Sequence, residues 1–353
     1  MPPLRRAVID VGTNSVKLLV ADVDGRKIRP VSEQSQQTRL GHAFYETHRL
    51  QPEAIGATAK AVAGFAAVAR EAQAASIRIV ATSAAREAVN RDELTSAIEQ
   101  ASGLKVEVIS GKQEAALGFQ GVTTDPQLAQ GSVLLMDVGG GSAQFVFGSD
   151  GHAQFSHSFP LGSVRLLETM PCSDPPKPAE LAACRAWLRD FLDKEVRPRL
   201  VPAMRTLSPC EGERDGVRGP SGTPRPNPSP GAAPGASGCV QLVGVGGTAS
   251  ILGCMEAELT TFDRARLEAT RLTAARVSWH LERLWSLPLE QRKQIVGLPK
   301  NRADIILMGA AIYQAVMEAF GFPDLRISTR GLRFAALLDP TPQPQSQAPP
   351  ETP

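Results

Sequence analysis

Aromatic side chains are scarce in this chain of 353 residues, at 5% of the total with two Tyr and three Trp. So few rings leave little for the stacking platforms that bind single-stranded nucleic acid. An excess of one charge is lacking too. Lys and Arg number 38 against 36 Asp and Glu, a formal net charge of +2, which excludes a strongly cationic DNA binder but leaves room for a local basic groove. The five cysteines (172, 184, 210, 239 and 254) form no C-x-x-C pair. A zinc clip or dithiol motif is therefore not expected, and an odd set of scattered thiols reads as a reduced, cytoplasmic protein. The five histidines (42, 48, 152, 157 and 280) show no H-x-x-x-H or H-D grouping, and His152 and His157 read as surface residues. Neither a G-x-S-x-G elbow nor a G-x-x-x-x-G-K-[ST] loop occurs. The longest apolar run, near residues 305–320, carries Gln314 and Glu318 and is short for a bilayer span. At the N-terminus, Asp10, Asn14 and Lys17 interrupt the stretch that would otherwise mimic a signal peptide. A soluble protein with no membrane partner is the expectation.

What is present supports a sizeable core. Hydrophobic residues are 42% and charged residues 21%, near the globular average, and at ~100–200 residues per domain the length predicts two domains. Residues 7–24 alternate apolar runs with a polar turn (AVID, VGTNS, VKLLVADV). This predicts strand, turn and strand, with Asp24-Gly25 turning into a third strand near 27–33. Ala-rich residues 52–74 predict a helix. A strand at 77–82, a helix from about Ala84, a strand at 105–110 and a helix over 111–121 follow. Strands alternating with helices predict an α/β protein with a mostly parallel, helix-covered sheet.

From Ser132 the opening theme recurs, as VLLMD, VGGGS and AQFVFG. The shared strand–Asp–x–Gly–x–x–Ser–strand pattern points to internal duplication, although so short a motif can also coincide. Domains are placed at 1–125 and 126–338. Within the second, residues 179–196 carry apolar residues at helical spacing, 239–252 read as a buried strand, glycine turn and helix start, 303–320 as a buried helix, and 325–338 as a last strand and helix. The Pro-, Gly- and Ser-rich stretches 208–238 and 339–353 cannot bury enough surface to offset ordering entropy, and read as a disordered insertion and tail.

Three glycine turns follow apolar strands: D-V-G-T-N-S (10–15), D-V-G-G-G-S (137–142) and G-V-G-G-T-A-S (244–250). Glycine lets a backbone approach an anion closely, and successive N–H groups in such turns form a nest for phosphate oxygens. A carboxylate beside such a nest is electrostatically unfavourable unless a cation lies between, so Asp10 and Asp137 point to Mg²⁺; the plainer alternative is that each caps its own turn. Arg86, at a strand-to-helix junction, has the fork that grips phosphate, though a lone Arg there is more often solvated or salt-bridged. Ser110 and Gln113 fit a capping box and put Glu114 in a first helical turn. There it can orient a water, or simply complement the helix dipole, which is the reading its position alone favours. Basic residues at 197–205 and 264–283 read as solvated helix faces.

Taken together, VIDVGTNSVKLLVAD (8–22), ATSAAREAVN (81–90), EVISGKQEAALGFQGV (107–122), LLMDVGGGSAQFVFG (134–148), FPLGSVRLLE (159–168), LVGVGGTASIL (242–252) and LPKNRADIILMGAAIYQAVMEAFG with ISTRGLRFAALL (298–338) resemble the exopolyphosphatase/guanosine pentaphosphate phosphatase (Ppx/GppA) family. The resemblance implies two ribonuclease-H-like domains of the actin/hexokinase/Hsp70-like ATPase fold with the active site in the interdomain cleft. It also implies Mg²⁺-dependent release of the terminal phosphate of inorganic polyphosphate or the 5′-γ-phosphate of pppGpp, and a homodimer. By the same resemblance Glu114 matches the catalytic base and Arg86 the phosphate-gripping arginine. Gly12, Asn14, Ser15, Gly139, Gly140, Gly141 and Ser142 match the phosphate loops, and Gly246, Gly247 and Thr248 the third glycine turn. Asp10 and Asp137 match the acidic residues of the metal site, where Gln144 replaces a usual Glu. Long members also append a C-terminal helical domain with an H-D signature, which these 353 residues do not contain, so high processivity on long chains is not implied. A non-catalytic polyphosphate or (p)ppGpp sensor and an ATP-dependent kinase of the same fold are the competing readings. A neutral amide beside Mg²⁺ forfeits a unit of charge, so Gln144→Glu is expected to lower the Mg²⁺ concentration needed for half-maximal phosphate release; a titration superimposable on the wild type would refute this.

Overall fold

The computed structural model describes residues 3–205 and 240–339. The insertion read at 208–238 lies outside the described residues, as does the tail read at 339–353 apart from Asp339. Eleven strands form two sheets among the described residues. The first contains β1 (Leu4–Val11), β2 (Ser15–Asp24), β3 (Lys27–Gln37), β4 (Ser76–Ala81) and β5 (Val106–Val108), in the order β3-β2-β1-β4-β5. The second contains β6 (Ser132–Val138), β7 (Ala143–Ser149), β8 (His152–Phe159), β9 (Gln241–Val245), β10 (Arg271–Thr273) and β11 (Asp324–Ile327), in the order β10-β11-β9-β6-β7-β8.

Both sheets are mixed, which corrects the expectation of mostly parallel pairing. β1-β2-β3 and β6-β7-β8 are antiparallel, because short turns join successive strands. Parallel pairing is confined to β1-β4-β5 and to β6-β9-β11, where helices make the crossovers. The hairpins match in register. Asp10 pairs with Lys17 across β1 and β2, and Asp137 pairs with Gln144 across β6 and β7. On the parallel side their neighbours are Val80 and Val245. The duplicated sequence pattern therefore corresponds to a duplicated arrangement of strands.

Local chemistry explains the main helices. Ser110 Oγ accepts the Gln113 N–H at 3.2 Å, and Gln113 Oε1 accepts the Ser110 N–H at 2.8 Å. This reciprocal cap starts the helix Gly111–Val122 and fixes Glu114 in its first turn. The amphipathic helix read at 179–196 runs further than expected. It is α-helical over Pro178–Phe191, widens to a π turn over Leu192–Val196, and continues to Arg205. Leu192, Val196 and Leu200 are all buried, so the apolar stripe carries through the widened turn. The region from Ala84 divides into a short helix, Ser83–Glu87, and a second over Arg91–Ser102. The buried helix Ile306–Phe320 lies beneath the second sheet, where Tyr313 Oη donates to the Met136 carbonyl at 3.0 Å. No helix among the described residues is long and apolar enough to cross a membrane.

Two helices pass between the sheets. Gly111–Val122 leaves β5 of the first sheet but buries Ala115, Phe119 and Val122 against Leu135, Val146 and Val243 of the second. Leu332–Leu338 leaves β11 of the second and buries Phe334 and Leu337 against Val8, Leu19 and Val80 of the first. The crossing is tight at Gly121, where a Cβ atom would collide with the Gly331 carbonyl. Backbone cannot yield as a flexible side chain can, so Gly121→Ala is expected to destabilise the protein by about 1–3 kcal/mol, the range for overpacking. Denaturant unfolding with the midpoint unchanged would show that the crossing has room to spare.

Candidate functional site

The hairpin turns of the two sheets meet across one cleft. Each closes on itself, with Gly12 N–H donating to Ser15 O at 3.1 Å and Gly139 N–H donating to Ser142 O at 2.9 Å. The second turn is anchored by the helix Ser163–Thr169. Ser163 N–H donates to the Gly139 carbonyl at 3.0 Å, and Val164 and Arg165 N–H donate to the Gly140 carbonyl at 2.8 and 3.0 Å. In a trans peptide the N–H points opposite to the C=O. The N–H groups of Gly140 and Gly141 are therefore turned away from that helix, and no acceptor for them is found among the described residues. Unmatched donors on a glycine turn make a concave anion site.

These turns line a small chamber of about 90 Å³ together with Asp10, Asn14, Lys17, Ser83, Glu114, Asp137, Gln144, Gly247, Thr248 and Arg302. Wider clefts adjoin it. One, of about 710 Å³, shares Thr13, Asn14 and Ile305 with the chamber; another, of about 630 Å³, shares Asp10, Lys17, Asp137 and Arg302. Thirteen of the residues singled out from sequence line the chamber: Asp10, Gly12, Asn14, Ser15, Glu114, Asp137, Gly139, Gly140, Gly141, Ser142, Gln144, Gly247 and Thr248. The Thr248 hydroxyl is engaged with the Val138 carbonyl at 3.0 Å. Gly246, at φ +80°, lies in the 630 Å³ cleft, where a Cβ would collide with the Asp137 carboxylate. Gln144 is buried and its Nε2 donates to Ser142 Oγ at 2.9 Å and Ser158 Oγ at 3.1 Å.

Arg86 stands beside Glu114, at the same end of the first sheet. It is not among the chamber's lining residues. Its Nη1 donates to the Ile109 carbonyl at 2.9 Å and to Glu114 Oε2 at 3.1 Å. The arginine thus grips the carboxylate and ties it to the end of the β5 segment.

Burial dominates the electrostatics. It pushes the Glu114 carboxyl up to about 7, with Arg86 opposing and Asp137 and Asp10 adding to the rise. Asp137 is pushed up to about 6 by burial, Lys17 opposing and Asp10 reinforcing. Burial also lowers the Lys17 ammonium, and brings Arg302 down to about 10. Arg302 donates from Nη2 to Ser15 Oγ at 2.7 Å.

Lys17 and Arg302 were missed as site residues. The signal for Lys17 was available, because directly opposed residues of an antiparallel hairpin share a face and Lys17 opposes Asp10. Arg302 ends a 3₁₀ turn far along the chain, and no local pattern marks it. No group of three or more His, Cys, Asp or Glu able to hold a metal is found among the described residues. The Asp10 and Asp137 carboxylates take part in no hydrogen bond or salt bridge there, and two free carboxylates with water and substrate oxygens are a sufficient donor set for Mg²⁺.

Two hairpin-first sheets, exchanging a helix across a shared cleft with a phosphate-nest turn on each side, define the double ribonuclease-H-like fold of the actin-like ATPases and their phosphatase relatives. Residues 19–207 and 236–343 match the Ppx/GppA phosphatase family model, and the chain belongs to that family. Exopolyphosphatase 2 of Mycobacterium tuberculosis is 32% identical over 337 residues, covering 92% of this chain and 94% of that protein. The crystal structure of the Aquifex aeolicus Ppx/GppA family member superposes with a TM-score of 0.71 at 27% identity, covering 96% and 97% of the two chains. An exopolyphosphatase from Cytophaga hutchinsonii, at 22% identity and TM-score 0.74 over 95% and 98% of the chains, shares the fold.

The Arg86–Glu114 pair yields a test that needs no substrate. In a ¹³C-carboxyl NMR titration, Glu114 is expected to lose its proton near pH 7. Arg86→Gln removes the cation that favours the carboxylate and should move that midpoint to higher pH. A midpoint that stays put or falls would contradict the pairing.

Proposed function

We propose that this protein is a phosphohydrolase that releases the terminal phosphate of inorganic polyphosphate, and the 5′-γ-phosphate of pppGpp as a second substrate. The observation that carries this reading is the second glycine turn. Its unmatched N–H groups line the same chamber as a carboxylate whose pKa lies near neutrality. Phosphoryl transfer asks for positioning and charge neutralisation more than covalent chemistry. The turn amides hold the terminal phosphate, and the Lys17 and Arg302 side chains offset its charge from the adjoining wall. Glu114, its carboxyl pushed up to about 7 by burial, accepts a proton from a water as the water oxygen bonds to phosphorus and the bridging P–O bond breaks. Arg86 keeps that carboxylate aimed. Mg²⁺, bound through Asp10 and Asp137 with the Gln144 carbonyl in reserve, would neutralise phosphate charge. The described cysteines, Cys172, Cys184 and Cys254, are free thiols, in keeping with a cytoplasmic enzyme; a homodimer follows the family expectation.

One observation favours a second reading, a weakly catalytic sensor of polyphosphate or (p)ppGpp. Gln144 directs its amide nitrogen at two serine hydroxyls where the family pattern has a carboxylate. Phosphate release measured side by side on long polyphosphate, short polyphosphate and pppGpp, with and without Mg²⁺, separates the two. The enzyme reading expects Mg²⁺-dependent release, and Glu114→Gln should cut turnover by about 10²–10⁴-fold with polyphosphate binding retained. Binding without release at saturating Mg²⁺ favours the sensor; near-normal turnover in Glu114→Gln removes that residue from the mechanism.

A further inference from the structure

The second glycine turn is held by a side chain as well as by the helix backbone. Arg165 Nε donates to the Gly141 carbonyl at 2.7 Å, and its Nη2 pairs with Glu87 at 2.5 Å. The guanidinium lies over the Tyr45 ring, 4.1 Å from its centroid. Glu87 in turn accepts from Ser83 Oγ at 2.8 Å, and both Ser83 and Gly141 line the chamber. Arg165 itself is not among the lining residues and is largely buried, its side chain 17% exposed. One cation thus joins a turn of the second sheet to the helix Ser83–Glu87 and the Tyr45 segment of the first.

We propose that Arg165 is a positioning residue for phosphate transfer. The Gly141–Ser142 peptide is a soft point, because glycine places few limits on its dihedrals. A larger residue there would have to displace the Ser83 and Tyr45 hydroxyls, which lie where its Cβ would stand. By holding the Gly141 carbonyl, Arg165 turns the Ser142 N–H the opposite way, adding a third donor to those of Gly140 and Gly141. A flipped peptide would instead offer its carbonyl oxygen to an anion. Through Glu87 the same guanidinium keeps the first sheet's Ser83 closed on the turn. Arginine suits both tasks because its donors diverge in a fixed planar fork, whereas a lysine ammonium is a single point.

This inference rests on the reading that the turn holds the transferred phosphate, and the experiment keeps the two apart. Phosphate release from polyphosphate and pppGpp is measured for wild type, Arg165→Lys and Arg165→Ala, with folding checked by circular dichroism. A donor aimed at transition-state charge acts mainly on kcat. Arg165→Lys is therefore expected to lose roughly tenfold or more in kcat while KM moves by less than about threefold. Added guanidinium at millimolar concentration should restore part of the Arg165→Ala loss, and ammonium at the same concentration should not. A wild type that releases no phosphate from either substrate overturns the underlying reading. An active wild type with Arg165→Lys within twofold overturns the positioning role alone. So does a loss that guanidinium leaves untouched, which marks Arg165 as a packing residue. Should Arg165→Ala fail to fold, the lysine variant, which keeps a cation over Tyr45, decides the matter.

Discussion

Asp10, Asp137 and Glu114 bring three carboxyl groups to one cleft where burial disfavours the charge of Asp137 and Glu114, and much of the surrounding structure answers to that constraint. Lys17 faces Asp10 across the hairpin register, and its cation acts on Asp137 as well. Arg86 meets Glu114 directly. These cations offset part of the desolvation and leave Glu114 and Asp137 within reach of protonation near neutral pH. A fully neutralised cluster would have no use for a further cation, and an uncompensated one would stay protonated. The observed balance leaves carboxylates available both to a divalent ion and to a proton in transit.

The two glycine turns supply the opposite polarity. Their closure is identical, Gly12 to Ser15 and Gly139 to Ser142, yet their support differs. The first has its Thr13 and Asn14 carbonyls claimed by the N–H groups of Gly41, Thr38 and Arg39, and the second has its carbonyls claimed by the helix Ser163–Thr169, so the donors of both are aimed by tertiary structure and not by the turn alone. Anion-binding geometry here is a property of neighbouring segments that the turn's own sequence does not encode.

That difference marks how far the sequence could be read. The strands, the hairpin turns and the capping box of the Gly111–Val122 helix were legible because each depends on residues within a few positions of one another. The repeat of D-x-G-x-x-S located both acidic residues and most of the chamber wall. Long-range pairings were not legible. Arg302 meets Ser15 and Arg165 meets Glu87 only because the two sheets close on one another, and Arg86 meets Glu114 because β4 and β5 lie side by side in the first sheet. The mixed sheets have a related cause: helix–strand alternation along the chain predicts parallel pairing, but the two tight turns enforce antiparallel neighbours.

The exchange of helices between the sheets bears on how the chain is made. Val8, Leu19 and Val80 are covered by Phe334 and Leu337, and Arg6 Nη1 donates to the Leu337 carbonyl at 2.8 Å. During synthesis the first sheet emerges early, but its apolar surface there stays bare until the ribosome has released the segment near residue 338. The early half must wait, unfinished and prone to stray association, for the helix Leu332–Leu338 to arrive.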